Sequence, residues 1–350
     1  MSLIDTLIVP LNASFLSLLD YFPLTKRLIT SLGEPYLAGH SLEQGLETIV
    51  ENYHHHRYST FDILGETSQT PEDAANYIAS YQKTIHFCAQ NFSYAPHPHQ
   101  QPVTISLKPS LLCNVDHYGE FLRINPLTPL ESQLLTIVHY AQQQNIFVTL
   151  DMENHYWTTH SLNTVKSLWL KGYDNLGIVL QSRLYRTAQD ITSYIKTMPY
   201  PFPKNKLRVR ACIGIYRESP AISTNNKKQM KQMLVKHIAD LLNSGVYVEI
   251  ATHDYSIIDQ LITTIIDPYE QSGKISPQQY EFQFLRGVHN GKILGQQLLD
   301  AGKIVRDYMP IELNHRDALP YMMRRLKANP ELILNAFNNL LHSRKLLPTR

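Results

Sequence analysis

The sequence predicts a (β/α)8 barrel of the TIM type. Three observations carry that prediction. Short apolar, β-branched runs recur eight times. A longer helical pattern follows them again and again. No long low-complexity linker interrupts the series. Near-continuous apolar strands joined by crossovers of roughly 10–20 residues pair in parallel and are covered by helices. Eight such units over roughly 270 residues suit a closed barrel. A doubly wound open sheet is the alternative, but it usually has fewer repeats and often a Gly-rich first turn, which this chain lacks.

In chain order, SLLDYFPLTKRLITSL (17–32) and SLEQGLETIVENYHHH (41–56) read as helices ahead of the barrel. RYSTFDILGE (57–66) is the first strand, and PEDAANYIASYQKTIHFCAQNF (71–92) the helix after it. VTISLK (103–108) is the second strand, with ESQLLTIVHYAQQQ (131–144) as a later helix. IFVTLDME (146–153), NLGIVLQS (175–182) and LRVRACIG (207–214) are the third to fifth strands. NNKKQMKQMLVKHIADLLNSG (225–245) is amphipathic, and its Asn243-Ser244-Gly245 end suits a helix stop. VYVEIATHD (246–254), YEFQFLRG (280–287) and KIVRDYMP (303–310) complete the eight strands. A helix is expected from an N-cap at Asp317, and PELILNAFNNLLHSRKLL (330–347) is one more. The division expected is a helical extension over 1–56, the barrel over 57–330, and a C-terminal helix and tail over 331–350.

Composition narrows the function. The 350 residues are 43% hydrophobic and 18% charged, as in a globular protein with a sizeable core. Thirty-two basic and 30 acidic residues leave a net charge of +2, which argues against a partner held by a broad basic field, so no nucleic acid is expected. No run of ~18 apolar residues exists, so no membrane-spanning helix is expected. The first residues carry Asp5 and no basic cluster, a poor signal peptide, and no Arg-rich, acid-poor leader; the expectation is a bacterial cytoplasm. Cys88, Cys113 and Cys212 are far apart with no CxxC, which favours a reducing compartment over a disulfide framework or zinc.

A barrel places its chemistry at the C-terminal ends of the strands. Strand by strand those ends read Asp62 and Glu66; Lys108; Asp151 and Glu153; Gln181; Arg210; Thr252 and His253; Gln283; and Tyr308. Charge near apolar residues is costly unless paired or bound, so polar groups from all eight strands converging on one rim point to a ligand or a network. No nucleophile–base set stands out. Ser106 and Lys108 share a strand face, where plain barrel lining is the better reading and a Ser-Lys pair the lesser one; Asp151 and Glu153 also share a face, which makes a glycosidase or divalent-metal pair conceivable on spacing alone. The basic groups and amides suit an anionic ligand or a polar heterocycle better. His54-His55-His56 points three ways around a helix and reads as a solvated helix end, so no metal site is expected. Near the end, YMMRRLKANP (321–330) puts Tyr321 three and four residues before Arg324 and Arg325, on one helical face. After an eighth strand that face lies at the barrel mouth, where two guanidiniums form a fork for a carboxylate or phosphate.

YLAG (36–39), FDILGE (61–66), ISLKPS (105–110), LDME (150–153), VLQSRLYRT (179–187), RACIGIYRE (210–218), ATHD (251–254), FQFLRG (282–287), YMPI (308–311) and YMMRRL (321–326) occur in order. As an ordered set they resemble the proline dehydrogenase family from about residue 36 to 329. The resemblance implies a distorted (β/α)8 barrel and a monofunctional, FAD-dependent enzyme. It would oxidise L-proline to Δ1-pyrroline-5-carboxylate by hydride transfer from C5 to flavin N5, the first step of proline catabolism. Electrons would pass to a membrane quinone from a chain peripheral on the inner membrane, and a separate pyrroline-5-carboxylate dehydrogenase would take the product.

Residue by residue, the resemblance implies that Arg324 and Arg325 bind the proline carboxylate. Lys108, Tyr308 and Tyr321 surround the substrate, and Leu285 forms an apolar wall. Asp151 lies close to substrate and flavin. Gln181, Arg210, Gly214, Tyr216, Thr252, His253 and Gln283 hold FAD, with Arg210 near N5. Glu66 pairs with Arg324 to gate the site. This chain departs from the family's pattern at Ile213 and Ile215, where Lys and Ala are usual, at Asp254 for Asn, at Glu312 for Gly, and at Ala328 for an acid. Two further readings stay open: a degenerate barrel that binds proline-like ligands without flavin, and a flavin dehydrogenase for hydroxyproline.

Overall fold

A computed structural model describes residues 33–65, 67–92, 100–118, 121–124, 129–198, 204–216 and 218–313. Eight parallel strands form a closed barrel: β1 (Tyr58–Ile63), β2 (Val103–Leu107), β5 (Val148–Leu150), β6 (Leu176–Gln181), β7 (Arg208–Cys212), β8 (Tyr247–Ala251), β9 (Tyr280–Leu285) and β10 (Val305–Ile311). They close in sequence order, with Tyr58 beside Arg306 and Ser59 beside Val103 joining β1 to the last and second barrel strands. Each falls inside, or within a residue of, an expected run. The third is much shorter than expected, three residues against eight. An antiparallel hairpin, β3 (Val115–Tyr118) with β4 (Phe121–Ile124), is inserted after β2 and was not expected.

Alternation sets what each strand buries. Ile105, Leu107, Val209, Val248, Ile250 and Phe282 are fully buried members of one core. The positions between them carry the polar groups described below. The helices outside the strands have ordinary local causes. Helix α1 (Leu42–His54) is capped by Ser41, whose side chain accepts from the Gln44 N–H at 3.3 Å. Helix α2 (Pro71–Asn91) opens on a capping box, with Asp73 N–H on Thr70 Oγ1 and Thr70 N–H on Asp73 Oδ2, and has Pro71 in its first turn. Helix α3 is Leu130–Gln143, and α4 is His155–Leu170, capped by Asn154. Helix α5 (Lys227–Leu242) ends as expected, with Gly245 at φ +79° shortly beyond it. Helix α6 is Tyr255–Leu261 and α7 is His289–Asp300. Arg57 and Asn52 both grip Asp307 and so pin α1 to β10.

His54, His55 and His56 are exposed where α1 ends. No helix of the described residues is long and apolar enough to cross a membrane. The expected helices at 17–32, after Asp317 and at 330–347 lie outside the described residues, as do Glu66, Tyr321, Arg324, Arg325 and Ala328.

Candidate active site

Of the described strand-end residues, Lys108, Asp151, Glu153, Thr252 and His253 lie just past the C-terminal ends of their strands, and Asp62, Gln181, Arg210, Gln283 and Tyr308 lie within the strands. Arg210, from β7, is the hub. Its Nη1 donates to Asp151 Oδ1 at 2.7 Å and Ser106 Oγ at 2.9 Å. Its Nε donates to Glu249 Oε2 and Gln283 Oε1, both at 2.7 Å. Its Nη2 is buried and has no hydrogen-bond partner among the described residues. The guanidinium also lies 5.1 Å from the Tyr308 ring centroid, and Tyr308 OH donates to Asp151 Oδ2 at 2.6 Å. Asp151 thus takes an arginine on one oxygen and a phenol on the other, which fixes a carboxylate just past the end of β5.

The two pairings left open on spacing resolve differently. Ser106 gives its hydrogen to Asp151 and accepts from Arg210, whereas Lys108 pairs with the buried Asp62 and reaches Ile63 O. Ser106 and Lys108 are therefore engaged separately, which agrees with the plain-lining reading and not with a Ser-Lys couple. Glu153 turns away from Asp151 and takes Ser110 N–H at 2.9 Å and Ser110 Oγ at 2.8 Å, because the strand stops at Leu150 and the face alternation stops with it. That corrects the paired-carboxylate reading. Among the described residues no cluster of His, Cys, Asp and Glu is built to hold a metal ion.

Beside this hub, three side chains knit the loops after β5, β6 and β7. Gln181 Nε2 donates to the carbonyls of Met152 and Glu153, at 3.1 and 2.8 Å. Arg183 Nη1 donates to the carbonyls of Gly214 and Tyr216. Glu218 caps α4 by accepting His155 N–H at 2.9 Å, and also holds His155 Nδ1 at 2.5 Å. Gln181 Oε1 is buried with no partner among the described residues. Thr252 is buried and accepts the Asp254 N–H on Oγ1. His253 Nε2 accepts the Leu285 N–H at 2.9 Å, so its neutral ring carries the proton on Nδ1.

The departures from the family pattern are accommodated where they are described. Ile213 packs on the core, and Ile215 is exposed. Asp254 caps α6 as an Asn would, accepting from Ser256 and Ile257 N–H, and pairs with Lys231 at 2.6 Å. Glu312 is buried against His40 Nδ1 at 2.6 Å, and burial of His40 is outweighed by Glu312 and Glu34, which raise its pKa.

Sequence reasoning missed a second tier. Arg208, Arg306, Glu281 and Glu249 are fully buried inside the lower barrel. The signal was present as charged or amide residues interrupting otherwise apolar strands: RVR in β7, E at 249, EFQ in β9 and VRDY in β10. Such residues are rare in a barrel interior, which is usually filled by branched apolar side chains.

A closed parallel barrel whose mouth gathers positioned acids, amides and arginine is the architecture of a barrel enzyme. This chain belongs to the proline dehydrogenase family, whose model matches residues 45–332, and it is an oxidoreductase. It is 27% identical to a proline dehydrogenase of Deinococcus radiodurans over 308 residues, 88% of this chain and 89% of the relative. It is likewise 27% identical over 298 residues to proline dehydrogenase 1 of Bacillus subtilis, covering 84% and 86%. Among solved structures it is similar in fold to proline utilization A of Bdellovibrio bacteriovorus, a form inactivated by N-propargylglycine, with a TM-score of 0.71 and 19% identity. That match covers 85% of this chain and 32% of the much longer one.

Proposed function

We propose that this protein oxidises L-proline with FAD as its cofactor, in the first step of proline catabolism. The observation that carries the reading is the unfinished hydrogen bonding at the mouth. Arg210 Nη2 is a buried cationic donor and Gln181 Oε1 a buried acceptor, each without a partner among the described residues. Leaving such groups unsatisfied costs roughly 1–3 kcal/mol each, and more for charge. They fit a planar, polar heterocycle with both acceptor and donor edges. When bound, FAD would supply the acceptor for the hydrogen and electron pair that leave proline C5, giving Δ1-pyrroline-5-carboxylate.

Gln181, Arg210, Gly214, Tyr216, Thr252, His253 and Gln283 would hold that group. The chain's own residues then do positional work. Asp151 and Ser106 orient Arg210. Tyr308 is held by Asp151, and with Leu285 it would bound the substrate ring. Lys108 keeps Asp62 compensated beside the substrate. Arg324 and Arg325 would grip the carboxylate, Tyr321 would pack on the ring, and Glu66 would gate through Arg324. Electrons would leave to a membrane quinone from a cytoplasmic protein peripheral on the inner membrane, and a separate dehydrogenase would consume the product.

The test is the visible spectrum of the purified protein. A flavin band that bleaches when L-proline is added without oxygen is expected. A colourless protein that FAD cannot reconstitute would sink the reading. The clamp has its own check: Arg325→Met should raise KM for proline steeply, by up to roughly 3 kcal/mol of lost charge-assisted bonding. A near-normal KM would place the fork elsewhere.

A further inference from the structure

Six charged side chains run in series through the barrel interior. Arg306 Nε meets Glu281 Oε1 at 2.7 Å, and the same oxygen takes Arg208 Nη2 at 2.7 Å. Arg208 Nε pairs with Glu249 Oε1. Glu249 Oε2 takes Arg210 Nε at 2.7 Å, and Arg210 Nη1 takes Asp151 Oδ1 at 2.7 Å. Gln283 braces the middle, donating to Glu249 Oε2 at 2.6 Å and Glu281 Oε1 at 2.7 Å while accepting from Arg210 Nε. Tyr247 OH closes the lower end on Glu281 Oε2 at 2.8 Å. Three guanidiniums face three carboxylates, so the series is neutral as a whole.

Glu249 is the link that joins the lower arginines to Arg210. It is 1% exposed, so its charge is not screened by water. The geometry points to Glu249 as a positioning residue for the oxidation: it fixes Arg210 through Nε, leaving Nη2 as the donor offered to the ligand, and it would offset the arginine's charge when a flavin is bound. This rests on the flavin reading above. Burial alone would raise the Glu249 pKa, but Arg208 and Arg210 overcome it and hold the carboxyl at about 2, so it is charged throughout the working range. The alternative, a network that serves stability only, makes no demand on the flavin.

The full-length chain loaded with FAD decides between them by its midpoint potential. Glu249→Gln keeps the shape and one acceptor but leaves the series one positive charge in excess. Excess positive charge favours the electron-rich reduced flavin. A shift of about ten-fold toward reduced flavin at fixed potential is expected, equal to about +30 mV for a two-electron couple. Arg208→Met leaves one negative charge in excess and should shift the potential the other way. The double variant restores neutrality and should return to the parent value. Opposite signs for the two single variants support the role. Equal signs, or no shift in either, overturn it. Should Glu249→Gln fail to fold, Arg208→Met alone decides, a negative shift in support and none against. A parent chain that takes up no flavin overturns both readings together, whereas a loaded parent with unresponsive variants overturns this one alone.

Discussion

At Gly214 the backbone has φ +99°, a region that side chains rarely occupy, and an added Cβ would stand 3.1 Å from Gln181 Cβ and 3.2 Å from Arg183 Cδ. Both neighbours hold loops of the mouth. Gly214→Ala should therefore cost about 1–2 kcal/mol of stability and loosen flavin retention, read from urea unfolding and from the flavin-to-protein absorbance ratio. Unchanged retention would mean that the turn does not serve the cofactor. At this scale the strand-end rule made Lys108, Asp151, Gln181 and Arg210 legible, because a barrel leaves polar groups at its C-terminal rim. Arg208, Glu249, Glu281 and Arg306 were not read. They sit low in the strands, where a charge in an apolar run looks like an outward-facing residue until the partner strands are known. Pairing across β7, β8, β9 and β10 is tertiary information that no single run contains.

Individual elements were legible to the extent that their signals are local. The capping box at Thr70 and Asp73 and the glycine after α5 fix helix ends from a few neighbouring residues. The hairpin of β3 and β4 escaped because each arm has four residues, too few for an alternation to show. Helix α5 also carries a titration that sequence could not reveal. His237 is buried and shares a hydrogen bond with Ser182 Oγ at 3.0 Å, tying α5 to the loop after β6. Burial first, then the charge of Lys236, lowers its pKa from 6.5 to about 4. The unfolded chain therefore binds a proton between pH 6.5 and 4 that the folded chain does not. Stability is fully present above pH 6.5 and declines as pH falls toward 4, by up to roughly 3 kcal/mol from this group. His237→Gln should flatten that part of the slope in urea titrations at pH 7, 5.5 and 4.5. An unaltered slope would assign the effect to another group.

For the whole molecule the unusual feature is a barrel filled along its axis with ion pairs. A buried pair repays its desolvation only when every polar atom is satisfied, and removing one partner is far costlier than removing both. Here Glu281 and Glu249 each serve two arginines, so the axis behaves as one unit across β7 to β10. The carboxyls of both are pulled below their ordinary value: burial opposes ionisation, and the surrounding arginines outweigh it. Their stabilisation is present above the unfolded carboxyl pKa of 4.5 and is lost as pH falls below it through each folded value, about 2 for Glu249. Bulk salt screens exposed pairs over about 10 Å at 0.1 M but scarcely reaches a buried axis. Two consequences separate the axis from the surface pairs. Acid unfolding of the parent should steepen below pH 4.5 and keep its midpoint in 1 M NaCl. The neutral double variant Arg208→Met with Glu249→Gln should unfold with a shallower acid slope, since one of the two depressed carboxyls is gone. Circular dichroism against pH, at low and high salt, measures both. A midpoint that moves with salt as far as it moves with the double substitution would place the acid-sensitive charges on the surface rather than along the barrel.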